Sequence, residues 1–188
     1  MTYDPETHTY YDASGAVLPS VTQILKHAGY ISDFYAPGAA ERGERVHRAT
    51  EELDRYGEIL MEVDEEIAPY VDCYKAWREE HPDHVPLAWE EIVEGGTLWP
   101  PYAGRVDMFM RIPGLDGRVV VDKKTGQPAK WHRIQLAAYA LASAQPNAAA
   151  LYLSPDKPAR LRVVKAAEMD EAIKLWGDAL EGYYATHG

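Results

Sequence analysis

Residues 119–126 read V-V-V-D-K-K-T-G. Three β-branched residues in a row build a strand meant for a dry interior, because each side chain is apolar whichever face it takes. Such a strand cannot stand alone, and the neighbouring sequence supplies its cover. "VPLAWEEIVEG" from residue 85 and "YAGRVDMFMRI" from residue 102 are strand-like, separated by the glycine- and proline-bearing turns "GGTLWPP" and "PGLDG". "WHRIQLAAYALASA" follows as a helix, apolar at Ile134, Ala137, Ala138 and Leu141, and "NAAALYLSP" is a fourth strand. "PARLRVVKA" is a fifth, and a closing helix carries Met169, Ile173, Trp176 and Leu180 on one side. Upstream, residues 7–18 read as a hairpin around "ASG". Ser20 or Thr22 caps a short helix ending at Gly29. A helix is expected from about Pro37 to Tyr56, stopped by Gly57, with Val46, Ala49 and Leu53 on its apolar stripe. Another is expected within residues 64–82, with Ile67, Val71, Tyr74 and Trp77 or Arg78 recurring, ended by Pro82. The order predicts one α/β (α+β) domain, a sheet flanked by helices. It divides into an N-terminal hairpin and helix (1–40), a core (41–154) and a C-terminal strand and helix (155–188).

A length of 188 residues suffices for one core. No apolar run approaches the roughly 20 residues that span a bilayer, and the opening "MTYDPETHTYYD" is polar and acidic, unlike a signal peptide. The single cysteine, Cys73, excludes an internal disulfide framework and points to a reducing, cytoplasmic setting. A net charge of −11 taken whole argues against nucleic acid. The charge is uneven, however. Residues 1–100 carry 7 Lys and Arg against 21 Asp and Glu, while residues 101–188 carry 12 against 9. The mildly basic half holds the V-V-V-D-K-K-T-G run, and a metal ion held by carboxylates can make an acidic site attractive to an anion.

Asp122 and Lys124 alternate along the strand and project to one face, while Val121 and Lys123 take the other. An isolated D-x-K is most often a solvated strand end, but a carboxylate can bind a divalent ion and an adjacent ammonium can steady a developing anion. Asp107 lies fifteen positions earlier in an otherwise apolar strand, and a hairpin would bring it to Asp122. It is either exposed or satisfied by a metal. Gly104 before it permits close backbone approach. His47 is mid-helix, an ordinary helical histidine or a neutral metal ligand, with Glu51 one turn on as its possible support. Arg42, Arg45 and Arg48 meet phosphates or pair with Glu41, Glu44, Glu51 and Glu52, with pairing favoured. Gln135 and Tyr139 share a helix face, with Lys130 and Arg133 at the helix start.

In order and spacing these segments resemble the PD-(D/E)XK nuclease superfamily, in particular its RecB-type exonuclease branch. The residues that carry the likeness are G-E-R-V-H (43–47), G-R-V-D (104–107), V-V-V-D-K-K-T-G (119–126) and Q-L-A-A-Y (135–139). "LPSVTQIL" (18–25) is similar to a P-S-V-T element preceding the core in some members.

The resemblance implies a mixed sheet flanked by helices, restriction-endonuclease-like, and Mg²⁺- or Mn²⁺-dependent phosphodiester cleavage. By it His47, Asp107 and Asp122 would bind metal, with the Lys123 carbonyl as a further ligand. Lys124 would orient the attacking water or stabilise the phosphorane, and Gln135 and Tyr139 would support the site and the DNA. Ser20 and Thr22 would touch a strand phosphate. Arg133 is a further substrate-side candidate, and Glu91, on the strand before Asp107, a weaker one. Iron–sulfur members bear four cysteines, so no such cluster is expected with Cys73 alone. The expected activity is exonucleolytic, on DNA ends, in recombination, repair or replication, from a stand-alone, phage-like module. Thirteen Tyr and five Trp would help stack unpaired bases. A single-strand annealing or replication protein is a possible partner. The alternatives are a weak or inactive DNA-binding module of the same fold, a structure-specific endonuclease, and an unrelated α/β domain.

Overall fold

A computed structural model describes residues 1–32, 38–96 and 99–187. The chain opens with three short strands, β1 (Thr2–Asp4), β2 (Thr9–Tyr11) and β3 (Val17–Leu18), then α1 (Val21–His27), α2 (Ala39–Tyr56) and α3 (Ala68–Glu80). The core follows as β4 (Val85–Gly95), β5 (Tyr102–Arg111), β6 (Val119–Lys124), α4 (Lys130–Ala142), β7 (Asn147–Tyr152), β8 (Arg160–Val163) and α5 (Ala166–His187). The five long strands form one sheet in the order β4-β5-β6-β7-β8. Only β6 and β7 run parallel, joined by the α4 crossover. This is the expected mixed sheet with helices on both faces.

The valine run sits at the centre of that sheet, buried throughout. Val119 and Val121 pack with Met108, Met110 and Leu151 against Val46, Tyr74 and Trp77 of α2 and α3. Val120 packs with Phe109 and Ala150 against Ile24, Ile134 and Trp176 of α1, α4 and α5. Each buried valine contributes about 1.5–3 kcal/mol, so the run ties both helical layers to one strand.

The N-terminal hairpin is in fact a three-stranded meander. The opening Thr2–Asp4 adds an edge strand to Thr9–Tyr11, which its polar sequence did not signal. Ser20, not Thr22, caps α1, accepting the Gln23 N–H at 3.1 Å in a reciprocal box with the Gln23 side chain. α2 begins at Ala39, and the expected start at Pro37 lies outside the described residues. Gly57 ends it in the left-handed region, at φ +75°. Among the described residues no helix is long and apolar enough to cross a membrane.

Candidate active site

The site forms where β5 and β6 part. Their ladder pairs Met110 with Val119, Phe109 with Val120 and Met108 with Val121, then stops. One further step in that register sets Asp107 against Asp122. Instead of a ladder bond, the Asp107 Oδ2 accepts the backbone N–H of Lys123 at 2.8 Å. Two carboxylates thus come opposite one another on β5 and β6. Burial pushes both upward, Asp122 to about 6 with Asp107's charge adding and Lys124 opposing. Asp122 is 2% exposed.

Asp122 and Lys124 share a face, as alternation requires, with Nζ 2.7 Å from Oδ2. That short ion pair is what satisfies this buried oxygen. The ammonium donates to Gln135 Oε1 at 2.8 Å, and the Gln135 amide donates to the Tyr139 hydroxyl at 3.1 Å. Nζ also lies 4.7 Å from the centre of the Trp131 ring. A chain of α4 side chains therefore aims Lys124 at the carboxylates.

Gly104 makes this chain possible. A Cβ there would stand 2.5 Å from the Tyr139 ring and 3.2 Å from Val21. Gly104→Ala should therefore displace Tyr139 and cost about 1–3 kcal/mol, read as a lower thermal midpoint. In a Tyr139→Ala background the same change should cost little, and equal cost in both backgrounds would sink the assignment.

His47 comes from α2. A ring nitrogen 2.8 Å from the Lys123 carbonyl must carry the proton, since a carbonyl only accepts, which places that proton on Nε2. Nδ1 is then bare, 3.4 Å from Asp107 Oδ2. Burial and the charge of Lys123 hold the imidazole well below the usual histidine range, hence neutral. A bare nitrogen and a carboxylate oxygen repel unless something positive lies between them. Their separation is close to the roughly 3 Å between adjacent ligands of a small octahedral cation. With the Asp122 carboxylate nearby, donors of this kind suit a divalent ion. The expected three-ligand cage is nonetheless not assembled. Among the described residues no three His, Cys, Asp or Glu side chains group as one. Lys124 stands on Asp122, and the Lys123 carbonyl, expected to coordinate, is taken by His47.

Lys123 points to the opposite face, 1% exposed. Its ammonium donates to Thr50 Oγ1 at 2.8 Å and lies 5.7 Å from the Tyr74 ring centre, a buried charge under the site whose pKa burial lowers.

Several of the candidate side chains are held in ion pairs. Glu91 turns away from Asp107 and forms a two-point ion pair with Arg118, at 2.8 and 3.2 Å. The acid that does stand opposite Asp107 is Glu90, between the pairs Trp89–Met108 and Glu91–Val106. Glu51 pairs with Arg55 at 2.8 Å rather than supporting His47. Arg48 pairs with Glu52 on its own helix, but Arg45 reaches Asp64 and Arg42 reaches Glu66, both in the segment before α3. Arg133 pairs with Glu171 on α5 at 3.0 Å and lines a separate cavity of about 380 Å³ with Lys130 and Arg162.

Two cavities flank the carboxylates. One, of about 400 Å³, is lined by Ser20, Thr22, Arg105, Asp107 and Tyr139. The other, of about 590 Å³, is lined by Arg42, His47, Lys124, Gln127 and Trp131. Sequence reasoning passed over Arg105, Glu90 and Trp131. Arg105 was open to detection, since it lies two residues before Asp107 on a strand and so shares its face.

Residues 31–186 match the sequence profile of the PD-(D/E)XK nuclease superfamily. Among solved structures, a candidate exonuclease from Eubacterium rectale superposes at a TM-score of 0.61, with 15% identity over 95% of this chain and 84% of that one. A phage-related exonuclease from Haemophilus somnus gives 0.35, with 10% identity over 91% and 96% of the two chains. No curated protein matches the sequence.

Proposed function

Since the chain belongs to the PD-(D/E)XK nuclease superfamily, we propose that it is a divalent-metal-dependent deoxyribonuclease that acts as an exonuclease on DNA ends. The observation carrying this is the parting of β5 and β6, which opposes Asp107 and Asp122 with Lys124 on the same face. In this reading Asp107, Asp122 and the bare Nδ1 of His47 would hold Mg²⁺ or Mn²⁺. A bound ion of that kind lowers the pKa of water and offsets the charge that builds on phosphate oxygens.

The chain's own residues supply the rest. Lys124, held by Gln135, presents a fixed positive charge to the oxygens of the phosphate under attack. Tyr139 keeps Gln135 in place, and Gly104 keeps room for Tyr139. Buried Lys123 adds positive potential from below without touching substrate. The two flanking cavities give a strand a path on either side of the carboxylates, with Trp131 available for stacking on the α4 side.

Labelled single- and double-stranded DNA incubated with Mn²⁺, with Mg²⁺ and with chelator tests the proposal. A metal-dependent ladder shortening from one end supports it. Internal cuts would favour an endonuclease, and binding without cleavage a degenerate module. An imidazole ligand shifts preference toward Mn²⁺, so activity in Mn²⁺ should equal or exceed that in Mg²⁺. A strong Mg²⁺ preference would remove His47 from the ligand set.

A further inference from the structure

Arg105 occupies the same face of β5 as Asp107 but is absent from the machinery above. Its side chain is 37% exposed and lines the cavity of about 400 Å³ that Asp107 closes on one side. Its Nε lies 2.6 Å from Glu90 Oε2, and its guanidinium sits 5.5 Å from the centre of the Tyr3 ring. The N-terminal meander therefore presses one flat aromatic ring onto this cation and fixes its plane.

Glu90 is the uncommon partner. It holds φ +50°, left-handed for a residue with a side chain, in the middle of β4. In that conformation it lies between the ladder pairs Trp89–Met108 and Glu91–Val106, near the charge of Asp107, and reaches Arg105. A conformation rarely adopted by a non-glycine residue thus delivers a carboxylate to a guanidinium at the mouth of a polar cavity. Guanidinium binds phosphate, as it binds carboxylate, by paired N–H bonds.

We propose that Arg105 is a phosphate anchor on the meander side of the site, exchanging Glu90 for a phosphate of the DNA strand beside the one under attack. Glu90 holds the guanidinium in place until DNA arrives, and it turns away free anions that bring only one contact. Arg105 is a positioning residue: it sets the strand against Asp107 without touching the bond that breaks. The proposal rests on the reading of the chain as a DNA nuclease. Its phosphate is either internal or the terminal 5′-phosphate, and the chemistry is the same.

The test uses the full chain and a labelled oligonucleotide, 5′-phosphorylated or 5′-hydroxyl, with binding measured in Ca²⁺ across a salt series and cleavage measured in Mn²⁺. Arg105→Ala should weaken binding roughly tenfold, lower the slope of log affinity against log salt by about one, and raise KM more than it lowers kcat. Arg105→Lys should restore the salt slope. Glu90→Gln should tighten binding, because the competing carboxylate is gone. A loss seen only with the 5′-phosphorylated strand assigns the terminal phosphate, and an equal loss on both assigns an internal one. Arg105→Ala binding DNA like the unaltered protein overturns the proposal. So does Glu90→Gln weakening binding as much as Arg105→Ala, which would make the pair a structural strut. An unaltered protein that neither binds nor cuts DNA overturns the nuclease reading itself, a result distinct from either of these.

Discussion

In single-turnover assays at pH 8 with Mn²⁺, the Lys124→Ala protein is expected to bind DNA and metal about as well as the unaltered protein, yet to cleave roughly 10²–10³-fold more slowly. The ammonium is held at two points, by Gln135 Oε1 and by Asp122, and it faces the carboxylates from one fixed direction. A charge held that rigidly favours the state in which phosphate charge has built up over the ground state, so its loss falls on turnover rather than affinity. The pH matters. Lys124 is the strongest influence holding the Asp122 carboxyl down against burial. Removing it lets that carboxyl rise further, so at pH 6 the variant would lose metal as well and the two effects would merge. Arginine should restore little, because its broad planar fork does not fit where one Nζ meets both oxygens. Full turnover in Lys124→Ala would take this side chain out of the mechanism.

Asp122→Asn should abolish metal-dependent cleavage and weaken Mn²⁺ binding by roughly 100-fold or more, at least matching the loss of an outer supporting group. The reason is the carboxyl's setting. It is buried, its close partner is the Lys124 ammonium, and burial raises it to about 6. The sign follows from proton competition. Above pH 6 the group is ionised and ready for a cation, and below it each metal ion bound must expel a proton. Mn²⁺ affinity of the unaltered protein should therefore fall up to tenfold per pH unit below about 6, more steeply if Asp107, also raised, titrates with it. Stability runs the other way. A carboxyl raised above its unfolded value of 3.8 stabilises the metal-free fold at low pH and loses that contribution as pH climbs to about 6. A bound cation offsets this above pH 6, so the thermal shift caused by Mn²⁺ should be large at pH 8 and small at pH 5. Calorimetry of both proteins over that range checks it. An Asn variant that binds Mn²⁺ as tightly as Asp122 does at pH 8 would exclude the carboxylate as a ligand.

Much of this site was legible because its logic is local. Alternation along β6 separates Asp122 and Lys124 from Lys123, and the structure keeps that division. Helical spacing puts Gln135 beneath Tyr139, and they bond. The requirement for glycine before Asp107 has a named cause in the Tyr139 ring. The placement of the valine run, buried on both faces, follows from its composition.

What the chain alone left open were the choices among partners. Glu90 and Glu91 are adjacent and chemically identical, and only the β4–β5 register decides which one stands opposite Asp107 and which one turns to Arg118. Arg42 and Arg45 have acids within a helical turn, yet they reach residues about twenty positions away, because the path from α2 into α3 brings Asp64 and Glu66 over the helix. Local spacing fixes which face a side chain takes, since backbone geometry is set by neighbours one to four residues away. Which opposite charge it meets depends on how distant strands align, and that alignment is set by burial of the whole sheet rather than by the charges themselves. The residue types at this site, and their order, were therefore written in the sequence. The Lys124 grip on Asp122, the bare His47 nitrogen and the Glu90–Arg105 pair came only from the packed fold.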